Sequence, residues 1–179
     1  MNIFAIDPDP DVCAQVLDDV RLRVMIKETA QLLSGAIRIQ SPEVFPEGLY
    51  KLTHANHPVA RWVRANRGNF FWTILLGRAQ VEEFEFRFKK PHASERIFRL
   101  AADFYPRSVG NFPAGNFPTK ESDFCNCTPW PELPTFAAYR RTLIDKWHAD
   151  ATTGRNPTWT GRNPPWDEIS GEWFREFDL

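Results

Sequence analysis

Little in this chain is built for cross-linking by disulfide or metal. It has three cysteines in 179 residues, an odd number, and Cys125-Asn126-Cys127 leaves one residue between its thiols where zinc knuckles leave two. No second cysteine pair exists, so neither structural zinc nor a disulfide framework is expected, and a reducing cytoplasm is the expected compartment. No apolar run approaches the ~20 residues of a membrane span, and no secretory leader follows Met1, so no membrane partner is expected. Also missing are a glycine-rich phosphate loop, HExxH, CxxC and any Ser/His/Asp signature. Among only four histidines, His54 and His57 are spaced three apart as metal ligands often are. No carboxylate or third histidine can be placed to complete such a set, so no metal and no cofactor is expected.

Aromatics are the opposite case. Fifteen Phe and seven Trp supply ample apolar area for one core, and the length suits one domain rather than two. The net charge of −1 conceals an asymmetry: residues 166–179 carry −4, so the remainder carries +3. Sixteen of the 22 basic residues are Arg, the side chain suited to bidentate contact with phosphate or carboxylate. Nucleic acid is thus permitted as a partner, although a pI of 6.4 does not demand it.

The most informative stretch runs from Asp18 to Ile37. At 3.6 residues per turn, Leu22, Met25, Ile26, Leu33, Ala36 and Ile37 form a core-facing stripe. A second side stacks Arg21, Glu28 and Gly35 seven apart, flanked by Val24 and Gln31, with Arg23 and Lys27 nearby. A carboxylate among cations, with a glycine that permits close approach, can act on an anionic ligand; a solvated charged face is the plainer reading. Before it, residues 1–6 read as an extended apolar segment, then Asp9 and Pro10 start a short helix that runs on or breaks at Asp18-Asp19.

After a loop over 39–52 comes Thr53-His54-Ala55-Asn56-His57-Pro58. Pro58 fits the first turn of a helix capped by Asn56 or His57, and Arg61, Arg64 and Arg67 then form a basic ridge from a positive helix end. Gly68-Asn69 restarts the chain into a long, mostly buried helix to Lys90, and Ser94 is expected to cap another. Residues 105–134 lack periodicity and contain the repeat Gly110-Asn111-Phe112-Pro113 and Gly115-Asn116-Phe117-Pro118. So long a loop suits a lid or binding loop, with Phe112, Phe117 and Trp130 either stacking on bases or plugging the core. A helix over 135–148 follows. Two tryptophan-anchored repeats then place Arg155 and Arg162 where they can meet phosphate, and an acidic helix over 166–179 ends the chain. The expectation is a mainly α, single compact domain over 1–179, with a short extended N-terminus and a long irregular loop.

These pieces outline a cleft with Glu28 as acid or base, Arg21 beside it, and Asn56, His57 and the Arg61–Arg67 ridge on phosphates. Three motifs carry a resemblance to a known family. They are Met-Asn-Ile-Phe with Asp-x-Asp-Pro, Asp19 followed nine residues on by Glu28-Thr-Ala-Gln-Leu-Leu-Ser, and Thr53-His-x-Asn-His-Pro with Trp62-Val-Arg. Together they resemble the phage amino acid:DNA transferases, the glutamyl/putrescinyl-thymine pyrophosphorylase-like proteins related to phage pyrimidine-dimer DNA glycosylases. The resemblance covers roughly residues 1–100.

It implies an all-helical enzyme of the host-cell cytoplasm that joins an amino acid, glycine first, to 5-phosphomethyl- or 5-pyrophosphomethyl-deoxyuridine in double-stranded DNA, displacing the phosphate. Glu28 would take the ammonium proton, Arg21 or Lys27 would hold the glycine carboxylate or leaving phosphate, and His57 and Asn56 would neutralise the departing charge. Asp19, His54 and Gln31 complete the implied substrate shell. Arg23, Arg61, Arg64, Arg67, Asn69 and Lys120 form the implied DNA face, and the base leaves the stack to be reached. The alternative is a pyrimidine-dimer or modified-pyrimidine glycosylase/lyase, in which an N-terminal amine attacks and the glutamate assists.

Overall fold

The computed structural model describes residues 1–165; the acidic segment 166–179, with its expected helix on Ile169, Trp173, Phe174 and Phe177, lies outside the described residues. Among the described residues six α-helices carry the fold: α1 (Pro10–Gln15), α2 (Asp19–Gln40), α3 (Pro58–Ala65), α4 (Arg67–Phe88), α5 (Glu95–Phe104) and α6 (Thr135–Thr152). No strand forms among the described residues; Val109 and Phe112 make one isolated bridge. The chain is a mainly helical, single packed unit, as its periodicity indicates. None of the described helices is long and apolar enough to cross a membrane.

α4 is the hub, packing against α1, α2, α3 and α5. Phe70, Trp72, Ile74, Leu76, Ala79, Val81 and Phe84 are all buried on it, so apolar contact surrounds most of its circumference. A Cβ on Gly77 would run into the Phe98 ring, so α4 and α5 approach closely there. The helix starts follow local rules. Asp9 accepts from the Asp11 amide with Pro10 at the first position of α1, and the chain breaks at Asp18, which accepts from the Val20 and Arg21 amides to start α2. Ser94 departs from expectation: it makes no side-chain cap, and its hydroxyl pairs with Tyr50 Oη at 3.0 Å.

A buried polar knot ties α1, α2 and α4 together. Arg87, whose side chain is fully buried, donates to Glu83 at 2.6 Å, Asp19 at 3.1 Å, and the carbonyls of Leu17 and Gln15 at 2.7 and 2.9 Å. The late segment docks on the same knot. Asp19 N–H donates to Thr158 O, the Thr158 and Thr160 hydroxyls donate to Asp19, Trp159 is buried with its indole N–H on Val16 O, and Arg162 grips Glu83 bidentately.

Residues 105–134 are a packed belt with two short 3₁₀ turns, Tyr105–Ser108 and Glu121–Asp123. Phe112 and Phe124 are buried, the Phe112 ring lying 4.5 Å from that of Phe70, and Phe117 meets Phe71 edge-on at 6.1 Å. Trp130 donates to Asp145 beneath the Arg141 guanidinium. Of the two roles open to these aromatics, plugging the core is the one Phe112 fills.

Candidate active site

Glu28 sits one residue before buried Thr29 on α2, its side chain 27% exposed. Its Oε2 accepts the Asn2 amide at 2.9 Å and lies 3.8 Å from the α-amine of Met1, whose own side chain is buried. The turn that presents these two groups is made by Asn2, whose Oδ1 accepts the amides of Ile3 and Phe4 at 2.8 and 3.2 Å. Phe4 adopts φ of 42°, a left-handed conformation costly for an aromatic residue, and its buried ring holds it there against Tyr139.

From the other side comes the α3 N-terminus. His54 also has positive φ, 51°, and its carbonyl accepts the His57 amide at 2.9 Å. His57 caps α3 through its ring: Nδ1 accepts the Val59 amide at 3.3 Å, which places the neutral ring's proton on Nε2. That Nε2 faces Cys127 Sγ at 3.9 Å. Burial holds the His57 pKa below its usual value; the amino terminus and His54 add to this, and Glu28 opposes it. A neutral imidazole at pH 7, with Nε2–H available to donate, follows. Phe4 and His54 are two of the three non-glycine residues with positive φ among the described residues.

The charged stripe of α2 divides. Arg21 is spent on Asp18 and Asp150, both at 2.8 Å, and Trp147 donates to the same Asp18, so Arg21 is an internal strut rather than a ligand holder beside Glu28. Asp19 is likewise structural. Burial raises its pKa, but hydrogen bonds from Thr160, Arg87 and Thr158 outweigh that and hold it below the usual carboxylate range. Arg23 lies over the Phe88 ring at 4.3 Å. Lys27 is exposed and makes no ion pair among the described residues, and Gln31 is half-buried on the face shared with Glu28. Gly35 meets the Leu52 side chain, 3.3 Å from where its Cβ would be, so chain, not ligand, makes the close approach.

The expected basic ridge is shorter than its spacing implies. Arg61 is exposed, as are His54 and Asn56. Arg64 is turned back on Ala55 O at 2.6 Å, its carbonyl taken by Gln40 Nε2. Arg67 belongs to α4, with its amide on Pro113 O, its guanidinium on Ser108 and Tyr105 O, and its charge over the Tyr105 ring. Asn69 is buried and donates to Trp62 O, which removes it from an outer DNA face. Lys120 is exposed.

Comparison with known protein families, with curated proteins and with solved structures finds no match.

Cys127 joins the site without any spacing signal, since it lies 70 residues from His57. Its neighbour Cys125 is half-buried, as is Cys127; burial, then Cys127, pushes the Cys125 thiol up to about 12. No group of three or more His, Cys, Asp or Glu among the described residues is placed to hold a metal. The assembled set is thus one carboxylate, an α-amine, a backbone amide and a neutral imidazole, with Lys27 and Arg61 exposed on the flanking helices. It can accept a proton from an amine and donate a hydrogen bond to a leaving oxygen.

Proposed function

We propose that the protein is a DNA base-modifying transferase that joins an amino acid, glycine first, to a 5-phosphomethyl- or 5-pyrophosphomethyl-deoxyuridine in duplex DNA. The observation that carries this reading is Glu28, which accepts the Asn2 amide and has an amine 3.8 Å from the same oxygen. An amine substrate needs such a neighbour, because only its neutral form attacks. In the proposed step Glu28 takes one ammonium proton, the nitrogen lone pair forms the C–N bond to the 5-methylene carbon, and the C–O bond breaks with its electron pair on the departing phosphate. His57 Nε2–H donates to that leaving oxygen, while Lys27 and Arg61 offset its charge. The resemblance over residues 1–100 supports the substrate class.

The same α-amine favours a second reading. In a glycosylase/lyase the Met1 nitrogen would itself attack C1′ of the nucleotide, with Glu28 as the proton acceptor. Both are tested by incubating the protein and glycine with phosphomethyl-deoxyuridine duplex and analysing the nucleosides by mass. A glycinyl-methyl nucleoside is the expected product. Free base with a borohydride-trapped protein–DNA adduct would establish the second reading, and unchanged DNA would remove both.

A further inference from the structure

We propose that the cleft between the first turn of α4 and the 116–123 stretch is a nucleotide pocket for a pyrimidine with an imide edge, uracil- or thymine-type. It rests on the proposed reaction only for the source of that base, a nucleic acid, and it is a second site, since Glu28, His57, Lys27 and Arg61 do not line it. The cavity measures about 540 Å³, within the range of small-molecule sites.

Its polarity is built in. Asn69, only 6% exposed, donates Nδ2 to Trp62 O at 2.9 Å, which leaves Oδ1 without a protein partner on a side chain that lines the cleft. Asn66 accepts the Asn69 amide on Oδ1 at 2.9 Å, which leaves its Nδ2 as a free donor. Neither amide can turn over without losing its bond, so an acceptor and a donor of set polarity stand in one helical turn. An imide answers both, with N3–H toward Asn69 Oδ1 and the C4 carbonyl toward Asn66 Nδ2. Cytosine in that pose sets acceptor against acceptor and donor against donor.

The walls suit a flat ring. Trp62 is locked by its indole N–H on Asp123 O at 2.8 Å, by stacking on Phe124 at 5.5 Å and by an edge contact with Trp72 at 5.8 Å, while Phe117 lines the cleft with it. The loop is pressed on the helix: a Cβ on Gly68 would lie 1.8 Å from Asn116 O, and one on Gly115 2.4 Å from the Asn66 side chain. Asn116 and Lys120 are exposed at the rim, and their side chains make no hydrogen bond or ion pair among the described residues. Asn116 suits the second carbonyl and Lys120 a phosphate. The Asp123 carboxylate, also in the lining, spends Oδ2 on the amides of Thr119 and Lys120 at 3.1 and 3.2 Å.

The test is a titration of the whole ¹⁵N-labelled protein with dTMP, thymidine and dCMP, read at the Trp62 indole and the Asn66, Asn69 and Asn116 amides. These signals shift and saturate with dTMP, and dCMP binds about tenfold more weakly. Asn116→Ala weakens dTMP several-fold at an unchanged melting temperature, and Lys120→Ala removes the advantage of dTMP over thymidine. Silence at these groups up to about 10 mM nucleotide, equal binding of dCMP, or wild-type affinity in Asn116→Ala overturns the pocket. Glycinyl transfer is assayed in parallel. Nucleotide binding without transfer keeps the pocket and removes the reaction; transfer without nucleotide binding does the reverse.

Discussion

Replacing Arg87 by Leu should be among the most damaging single changes in the protein. The guanidinium is fully buried and makes four hydrogen bonds, two to carboxylates and two to the carbonyls of Gln15, the last residue of α1, and Leu17 just beyond it. Leu fills much of the volume but leaves Asp19 without its cation and the Gln15 and Leu17 carbonyls without their donor. Breaking a buried pair from one side costs about 3–5 kcal/mol, because a desolvated charge is left uncompensated. At about 2–4 °C per kcal/mol for a chain of this size, the melting temperature falls by roughly 6–20 °C. Urea unfolding followed by far-ultraviolet circular dichroism measures it, with an unchanged slope confirming that the folded state is otherwise the same. Adding Asp19→Asn should recover part of the loss. A drop below about 1 kcal/mol would refute the reasoning, since that is the range of exposed pairs.

Three further outcomes follow from the geometry. Acid should loosen the same knot: the Asp19 pKa is held below the usual 3.8, so its contribution is present above pH 3.8 and lost as pH falls through the lower folded value, measurable as acid unfolding that Asp19→Asn blunts. His57 runs through a different window; its folded pKa lies below 6.5, so the neutral cap is fully present above pH 6.5 and is lost as pH falls toward the folded value, and activity should follow that limb. Activity that stays unchanged as pH falls from above 6.5 to the onset of acid unfolding would separate His57 from the reaction. Arg61→Ala should weaken duplex binding and reduce the salt slope by about one, and an unchanged slope would take Arg61 off the DNA face.

The helices were legible because their signals are local. Asp9-Pro10, Asp18 and His57-Pro58 each place a capping acceptor beside a helix start, and each helix begins there. The fate of the charges was not, because their partners are remote: Arg21 meets Asp150 across 129 residues, and Asp19 meets Thr160 across 141. A stripe on a helical wheel looks the same whether it faces ligand, solvent or a later segment of chain. Arg67 likewise steps by three from Arg64 in sequence but falls on the next helix, where belt carbonyls claim it. Glu28 and His57 were singled out by their motifs, and an N-terminal amine beside the glutamate was implied by the glycosylase alternative, yet Cys127 comes from the tertiary fold alone.

The central claim is that Glu28 serves as the proton acceptor for an amine attacking a DNA base, and Glu28→Gln tests it most directly. The substitution keeps size and the Asn2 contact while removing basicity. Glycinyl-nucleoside formation on phosphomethyl-deoxyuridine duplex should fall by about 10²–10⁴-fold, with duplex affinity and melting temperature near wild type. Transfer within a few-fold of wild type would contradict the account.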